Sequence, residues 1–362
     1  MARAEPGVTA SQVIIGSTLA LSGPLAGAGI AHTAGLNAAF KAANNTGGGI
    51  GGRQIKLISL DDAYVPSRTV ENTRRLIEEQ QVFALVSSMG TGNTAAILPA
   101  VEKAEVPLVG PVTGAASLRK PGLKNVFHVR ASYRDETERL MQQLLSWGLK
   151  SLAFVYLDNP FGKEVLADAE LAVVAKGAEL AGKFALAIDG ANAEALAKQV
   201  HALKPSAVVL GTTGTANTAF LQAFRRLSPA TPVAGLSVSV LASEQAKLGP
   251  ALNGLALTQV LPDAASTRLA VVRNYQAAMR AAGEDTHIGG SSFEGWVNGQ
   301  VLIEGLRRTG GDFRREKLRT ALAGMRRLDL GEFVLGYGGQ APYVASQFID
   351  LAVMGTNGKR SS

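Results

Sequence analysis

The chain has 362 residues, room for two domains at roughly 100–200 residues each, and with 46% hydrophobic and 18% charged residues it can bury a sizeable core, which excludes global disorder. Thirty-six Lys and Arg against 29 Asp and Glu give a net charge of +7. The basic residues are scattered in short pairs such as Arg74-Arg75, Arg225-Arg226 and Arg307-Arg308, and aromatics make up only 6%, so no platform for nucleic acid is formed and none is expected as a partner. Zero cysteines exclude thiol catalysis, iron–sulfur ligation, zinc ribbons and disulfides together. No apolar run approaches the roughly 18 residues that span a bilayer.

In chain order, Ala2-Arg3-Ala4 before Glu5 fits the small-x-small end of a secretory signal peptide. That predicts a trimmed, secreted chain, with an arbitrary alanine-rich start as the competing reading. Residues 13–19 are short and β-branched, a buried strand, and 29–43 are alanine-rich and helical. A second strand is expected over 54–60, then a helix capped by Ser67 with Val70, Arg74 and Ile77 at helical spacing. Strands at 83–86 and 107–110 flank a helix over 94–103. After Phe127-His128-Val129-Arg130 a second series opens. Ser132 caps a helix with Asp135 and Glu136 in its first turn and Leu140, Leu144 and Trp147 on one face. Strands at 152–156, 178–186, 207–210, 232–234 and 254–259 alternate with helices. Helices alone fill 266–326, and 331–354 returns to strand-like runs.

Two such βα series predict an α/β chain of two doubly wound parallel-sheet lobes. Ligands of open parallel sheets bind beyond the carboxyl ends of the strands. That rule selects Leu21-Ser22-Gly23, Asp61 to Tyr64, Ser88 to Thr91, Pro111 to Gly114, Asp158-Asn159, Thr212-Thr213 and Leu236-Ser237.

Several motifs that suggest chemistry fail on context. Gly47 to Gly52 satisfies G-x-G-x-x-G, but it follows a helix and precedes a strand, the reverse of a dinucleotide fingerprint, so it reads as a helix stop and turn. Gly177 to Lys183 resembles a P-loop with Phe184 at the metal-ligating hydroxyl position, again in the wrong order. His32, His128, His201 and His287 show no ligand spacing, so no metal site is expected, and His128 reads as a core histidine. Asp61-Asp62 could serve as an acid/base pair, although a strand-end carboxylate more often fixes the next turn. The selected loops are rich in Ser, Thr, Asn and Gly, groups that hold a ligand without a nucleophile–base pair.

The chain resembles the leucine/isoleucine/valine-binding type of periplasmic solute-binding protein. The resemblance is carried by Ile14-Ile15-Gly16 leading to Leu21-Ser22-Gly23-Pro24, Gly51 to Ile55 leading to Asp61-Asp62, Val106 to Pro111, and Phe161-Gly162-Lys163. It implies a periplasmic binding protein-like I fold whose lobes are joined by three crossovers near Arg130, Gln259 and Tyr337. Lobe 1 would be 1–131 plus 260–338, and lobe 2 would be 132–259 plus 339–362. It further implies hinge closure on a ligand in the interlobe cleft, a monomer with no cofactor, and ABC permease and ATPase subunits as partners.

Relatives that bind amino acids imply a carboxylate site at Thr91, Val112 and Gly114, with Asn93 and Thr113 beside them. Asp158, Phe161, Thr213, Ser237 and Phe293 complete the expected ligand-binding set. The sequence also departs from the family pattern. Gly114 lacks a hydroxyl, Ala28 and Thr213 stand where aromatics are usual, and Ser237 stands where an acid meets the ligand ammonium. Tyr64 and Gly90 lie near the two ends of an absent disulfide. These departures favour a carboxylate without an α-ammonium, with Asp158 or Glu294 as substitute counter-charges if the ligand is an amino acid. The other functional classes left open are an enzyme using Asp61, Asp62, Asp158 or Glu294, and a sensor ectodomain.

Overall fold

The computed structural model describes residues 5–176, 178–355 and 360–361. The Ala2-Arg3-Ala4 motif and Gly177 therefore lie outside the described residues. In chain order the elements begin β1 (Gln12–Leu19), α1 (Ala26–Asn44), β2 (Gln54–Asp61), α2 (Pro66–Arg74), β3 (Ala84–Val86), α3 (Thr91–Lys103), β4 (Leu108–Val109) and β5 (Val126–His128). The second series is α4 (Tyr133–Ser146), β6 (Ser151–Leu157), α5 (Pro160–Val174), β7 (Glu179–Leu186), α6 (Ala193–Leu203), β8 (Ala207–Gly211), α7 (Gly214–Leu227), β9 (Val233–Gly235), α8 (Ala242–Leu248) and β10 (Leu255–Gln259). Then come α9 (Ala270–Ala282), α10 (Gly290–Arg308), α11 (Arg315–Ala323), β11 (Leu328–Asp329), β12 (Val334–Leu335), β13 (Tyr343–Val344), β14 (Asp350–Met354) and β15 (Arg360–Ser361).

These elements form two compact units. Unit 1 is Met1–Thr113, Ser117–Arg130 and Leu261–Gln347, and unit 2 is Gly114–Ala116, Ala131–Val260 and Phe348–Ser362. The sheet of unit 1 is entirely parallel in the order β13-β5-β4-β3-β1-β2. The order reverses between β2 and β3, so right-handed crossovers place helices on both faces. Accordingly α1 packs with α9 and α10 while α2 packs with α3. Unit 2 repeats the scheme as β7-β6-β8-β9-β10, extended by β14 and β15 in antiparallel sense. There α4 packs with α5, and α7 packs with α6 and α8. β1 and β8 are buried almost throughout and Val- and Ile-rich, as expected of strands covered on two faces.

Four local expectations need correction. Helix α2 is opened by Pro66 with Val65 as N-cap and no side-chain cap, so Ser67 lies inside the first turn. Proline at the first helical position fixes the entry there. Helix α3 starts at Thr91 because Gly90, at φ +97°, reverses the chain just before it. Trp147 is 50% exposed: α4 ends at Ser146, and Leu140 and Leu144 reach the core together with Tyr133 and Met141 while Trp147 does not. The chain stays in unit 1 up to Gln347 and not 338, because Tyr343 and Val344 pair with Phe127 and His128. By contrast Ser132 does cap α4, in a reciprocal box with Asp135, and the glycine run at 47–52 is a turn with Ile50 paired to Arg53.

Candidate functional site

In each sheet the first strand of the series lies between the second and third, so the direction of winding reverses between β1 and β3 and again between β6 and β8. A crevice opens beyond the carboxyl ends of strands at such a point.

In unit 1 this places the turn after β1 beside the segment after β3. Asp61 organises the first: its Oδ1 accepts from the amides of Leu21 (2.8 Å), Ser22 (3.1 Å) and Ala63 (2.9 Å), and its Oδ2 accepts from Ser22 Oγ at 2.6 Å. Burial works against the charged form, yet these bonds hold the Asp61 carboxyl below its ordinary range. Asp62 is fully buried and accepts from Thr18 Oγ1, Thr69 Oγ1 and the Tyr64 amide at 2.9–3.1 Å. Its pKa is raised, by burial first. Both carboxylates thus hold backbone and hydroxyls, as expected of strand-end acids that fix a turn.

They hold an unusual turn. Ala63 (φ +52°) and Tyr64 (φ +64°) are successive non-glycine residues in the left-handed region, which costs an L-residue roughly 1–2 kcal/mol. Beyond β3, Ser87 is also left-handed at φ +58°. Its hydroxyl joins His32 Nε2 (2.9 Å) and Asn298 Nδ2 (3.1 Å) in a buried cluster. Burial, then the charge of Arg130, depress the His32 pKa to about 3, so this ring is neutral.

The expected ligand residues of unit 1 fall into three places. Thr91, at the first turn of α3, shares a 2.9 Å hydroxyl contact with Thr113. Val112 accepts from the Gly90 amide at 3.1 Å and donates to Ser88 O at 2.7 Å, so these residues converge on the α3 N-terminus. Asn93 is buried and turned inward, donating to Thr69 Oγ1 at 2.8 Å. Phe293 sits on α10 in an aromatic cluster with Tyr275 (4.6 Å) and Trp296 (6.3 Å), with no exposed surface. Glu294 pairs with Arg130 at 3.4 Å. His128 is a core histidine, donating to Leu118 O at 3.2 Å, its pKa lowered to about 3 by burial.

In unit 2, Asp158 pairs with Lys163 at 2.8 Å on the surface. Phe161 is buried edge-on against Tyr133, 5.0 Å between ring centres. Gly114 meets the same tyrosine: a Cβ there would lie 2.7 Å from the Tyr133 ring and backbone nitrogen, which accounts for the missing hydroxyl. Thr213 Oγ1 donates to Val238 O at 2.6 Å. Ser237 lies on the same loop. Its amide donates to Glu136 Oε2 at 2.9 Å, and Thr258 Oγ1 donates to that oxygen at 2.6 Å. Glu136, legible in the sequence only as a first-turn acid of α4, thus joins the Ser237 loop. A partner 101 residues away leaves no trace in periodicity.

Among the described residues no group of three His, Asp or Glu could hold a metal ion, and no helix is long and apolar enough to cross a membrane.

Two doubly wound α/β units, with polar strand-end loops at each reversal of winding, define the architecture of a bilobal ligand-binding protein. The chain belongs to the periplasmic binding protein family, whose model matches residues 12–340. A curated relative, "Leu/Ile/Val-binding protein homolog 7" of Brucella abortus (strain 2308), is 29% identical over 164 residues, covering 43% of this chain and 41% of that protein. The match thus spans well under half of that relative's length. An extracellular ligand-binding receptor from Verminephrobacter eiseniae is 28% identical in sequence, with a TM-score of 0.89 over 97% of this chain and 100% of its own. A possible leucine/isoleucine/valine-binding protein from Rhodopirellula baltica is 26% identical, with a TM-score of 0.88 over 99% of this chain and 98% of its own.

Proposed function

We propose that this protein is the periplasmic solute-binding component of an ABC importer, closing two lobes on a small carboxylate or amino acid and delivering it to permease and ATPase subunits. It acts as a monomer without a cofactor. The observation that carries the reading is the convergence of Thr91, Thr113 and the Gly90–Val112 backbone on the N-terminus of α3, beside the β1/β3 reversal. Hydroxyls and a helix N-terminus suit an anion. A carboxylate lacking the α-ammonium is favoured, because Ser237 brings no charge, Asp158 is paired with Lys163 and Glu294 with Arg130. A buried ammonium without a carboxylate partner costs several kcal/mol.

A second reading, an α-amino acid, draws on Glu136, whose carboxylate reaches the Ser237 amide and brings negative charge to that loop. A thermal-shift panel separates the two. Ligand at 100 times its dissociation constant stabilises by about 2.7 kcal/mol. Leucine, valine and phenylalanine are compared with 4-methylpentanoate, 3-methylbutanoate and 3-phenylpropanoate. Stabilisation by the acids carries the first reading, and stabilisation by the amino acids alone carries the second. Scattering should show a smaller radius of gyration with the stabilising compound than without it.

A further inference from the structure

We infer that Tyr64 is a specificity-determining residue of the ligand site, its ring forming a wall against which the apolar body of a bound carboxylate packs. The inference rests on reading the α3 N-terminus as the carboxylate site. Ala63 and Tyr64 occupy the left-handed region in succession, where glycine would sit without strain. The conformation persists because Asp61 Oδ1 takes the Ala63 amide and Asp62 Oδ1 takes the Tyr64 amide, each at 2.9 Å. Strain that neighbouring groups over-determine points to function. Two carboxylates clamp a turn that glycine would adopt unaided, so the arrangement retains a side chain at 64.

The position of that ring gives it a task. A Cβ on Gly90 would lie 2.4 Å from Tyr64 Cε2, 3.2 Å from Cζ and 3.3 Å from Cδ2, so the ring lies directly on Gly90 and needs a glycine there. Gly90 immediately precedes Thr91, whose hydroxyl meets Thr113. Tyr64, partly exposed, thus packs on the residue that precedes the polar groups which would receive a carboxylate. Val65, 39% exposed, follows it in the chain with more apolar surface. A flat apolar body stacks on such a ring more favourably than a short aliphatic one, so aromatic carboxylates are the preferred class.

The test compares Tyr64→Gly and Tyr64→Phe with the wild type, using benzoate, 3-phenylpropanoate, 4-methylpentanoate and propanoate as probes in calorimetry and thermal melts. Tyr64→Gly relieves the backbone, so its ligand-free melting midpoint should stay within about 2 °C of wild type, while the aromatic acids lose about tenfold or more in affinity and propanoate changes far less. Tyr64→Phe should restore aromatic-acid binding to within about threefold. Equal binding of aromatic acids by Tyr64→Gly and the wild type would overturn the assignment. So would an equal loss in Tyr64→Phe, which would place the effect in the hydroxyl, or a uniform loss across all four probes with a falling midpoint, which would make the ring structural. If the wild type binds none of the probes, the carboxylate reading itself fails and the assignment falls with it.

Discussion

The strand ends of the two units solve the same problem in different ways. In unit 1 the loops after β2 and β3 carry three non-glycine left-handed residues, Ala63, Tyr64 and Ser87. They are held by buried or clamped side chains: Asp61, Asp62, and the cluster of Ser87, His32 and Asn298. In unit 2, among the described residues, the non-glycine left-handed position is Lys204, which ends α6 and belongs to no strand-end loop. There the loops are closed by side chains bonded to backbone: Thr213 to Val238 O, Asn217 to Ser239 O, and Glu136 to the Ser237 amide. Unit 1 also holds left-handed Gln81, Glu105 and Glu332 away from these loops, so the contrast lies in the strand-end loops themselves, where unit 1 carries three such residues and unit 2, among the described residues, none. Under the proposed function, that contrast would give unit 1 the orientation of the ligand's charged end, where a fixed geometry discriminates best.

The contrast breaks most severely at Asp62. Asp62→Ala removes the acceptor of two buried hydroxyls and the Tyr64 amide, and leaves the Asn93–Thr69 chain without its end. Leaving buried hydroxyl and amide donors without their acceptor costs roughly 1–3 kcal/mol, read as a lower urea midpoint. If instead the unit 1 loops are no more dependent on their clamp than those of unit 2, Asp62→Ala will cost less than Thr213→Val.

How much of this was visible in the sequence depends on range. Ser132 and Asp135 are three residues apart, and their capping box was legible because both partners sit in one helical turn. Asp61 was legible as a turn-fixing carboxylate because its backbone partner Ala63 is two residues on. The alternation of elements came through because strands covered on both faces are short, apolar and β-branched, which no solvated segment imitates. The ring of Tyr64 on Gly90 and the carboxylate of Glu136 at Ser237 join residues 26 and 101 positions apart. Neither partner is unusual in its own local pattern. Phe293 shows the converse: an aromatic at a plausible place was expected in a pocket, and the helix phase turns it into a core cluster with Tyr275 and Trp296.

Single hydroxyls sharpen the comparison at smaller scale. Thr91→Ala should weaken the ligand identified by the thermal panel about tenfold or more, since a hydrogen bond to a charged group contributes roughly 1.5–3 kcal/mol. Calorimetry giving an unchanged affinity would leave Thr91 merely as the start of α3. Thr213→Val should do the reverse. It strands the Val238 carbonyl, lowering stability by about 1 kcal/mol, with affinity shifted less than by Thr91→Ala. Loss of affinity in both variants to the same extent would place the charged end of the ligand in contact with unit 2 as well.

The smallest expected effect separates the two adjacent aspartates by the sign of their pH dependence. Asp61 titrates below 3.8 in the native protein, so the unfolded chain binds more protons than the native one in that range. Its contribution is present above pH 3.8 and is lost as pH falls through the native value. Asp62 titrates above 3.8, so the native state holds its proton longer. Its contribution is complete below pH 3.8 and is lost as pH rises through the native value. Urea midpoints measured from about pH 2.5 to 6 should therefore respond oppositely to two single changes. Asp61→Asn should flatten the fall on the acid side, and Asp62→Asn should steepen the rise in stability with pH by removing an opposing slope. Because slopes are compared and not absolute midpoints, a constant loss from disturbing the Asp62 network leaves the test intact. Slopes that change in the same direction in both variants would mean that the pair titrates as one group, and that the two aspartates do not divide the work of ordering the turn.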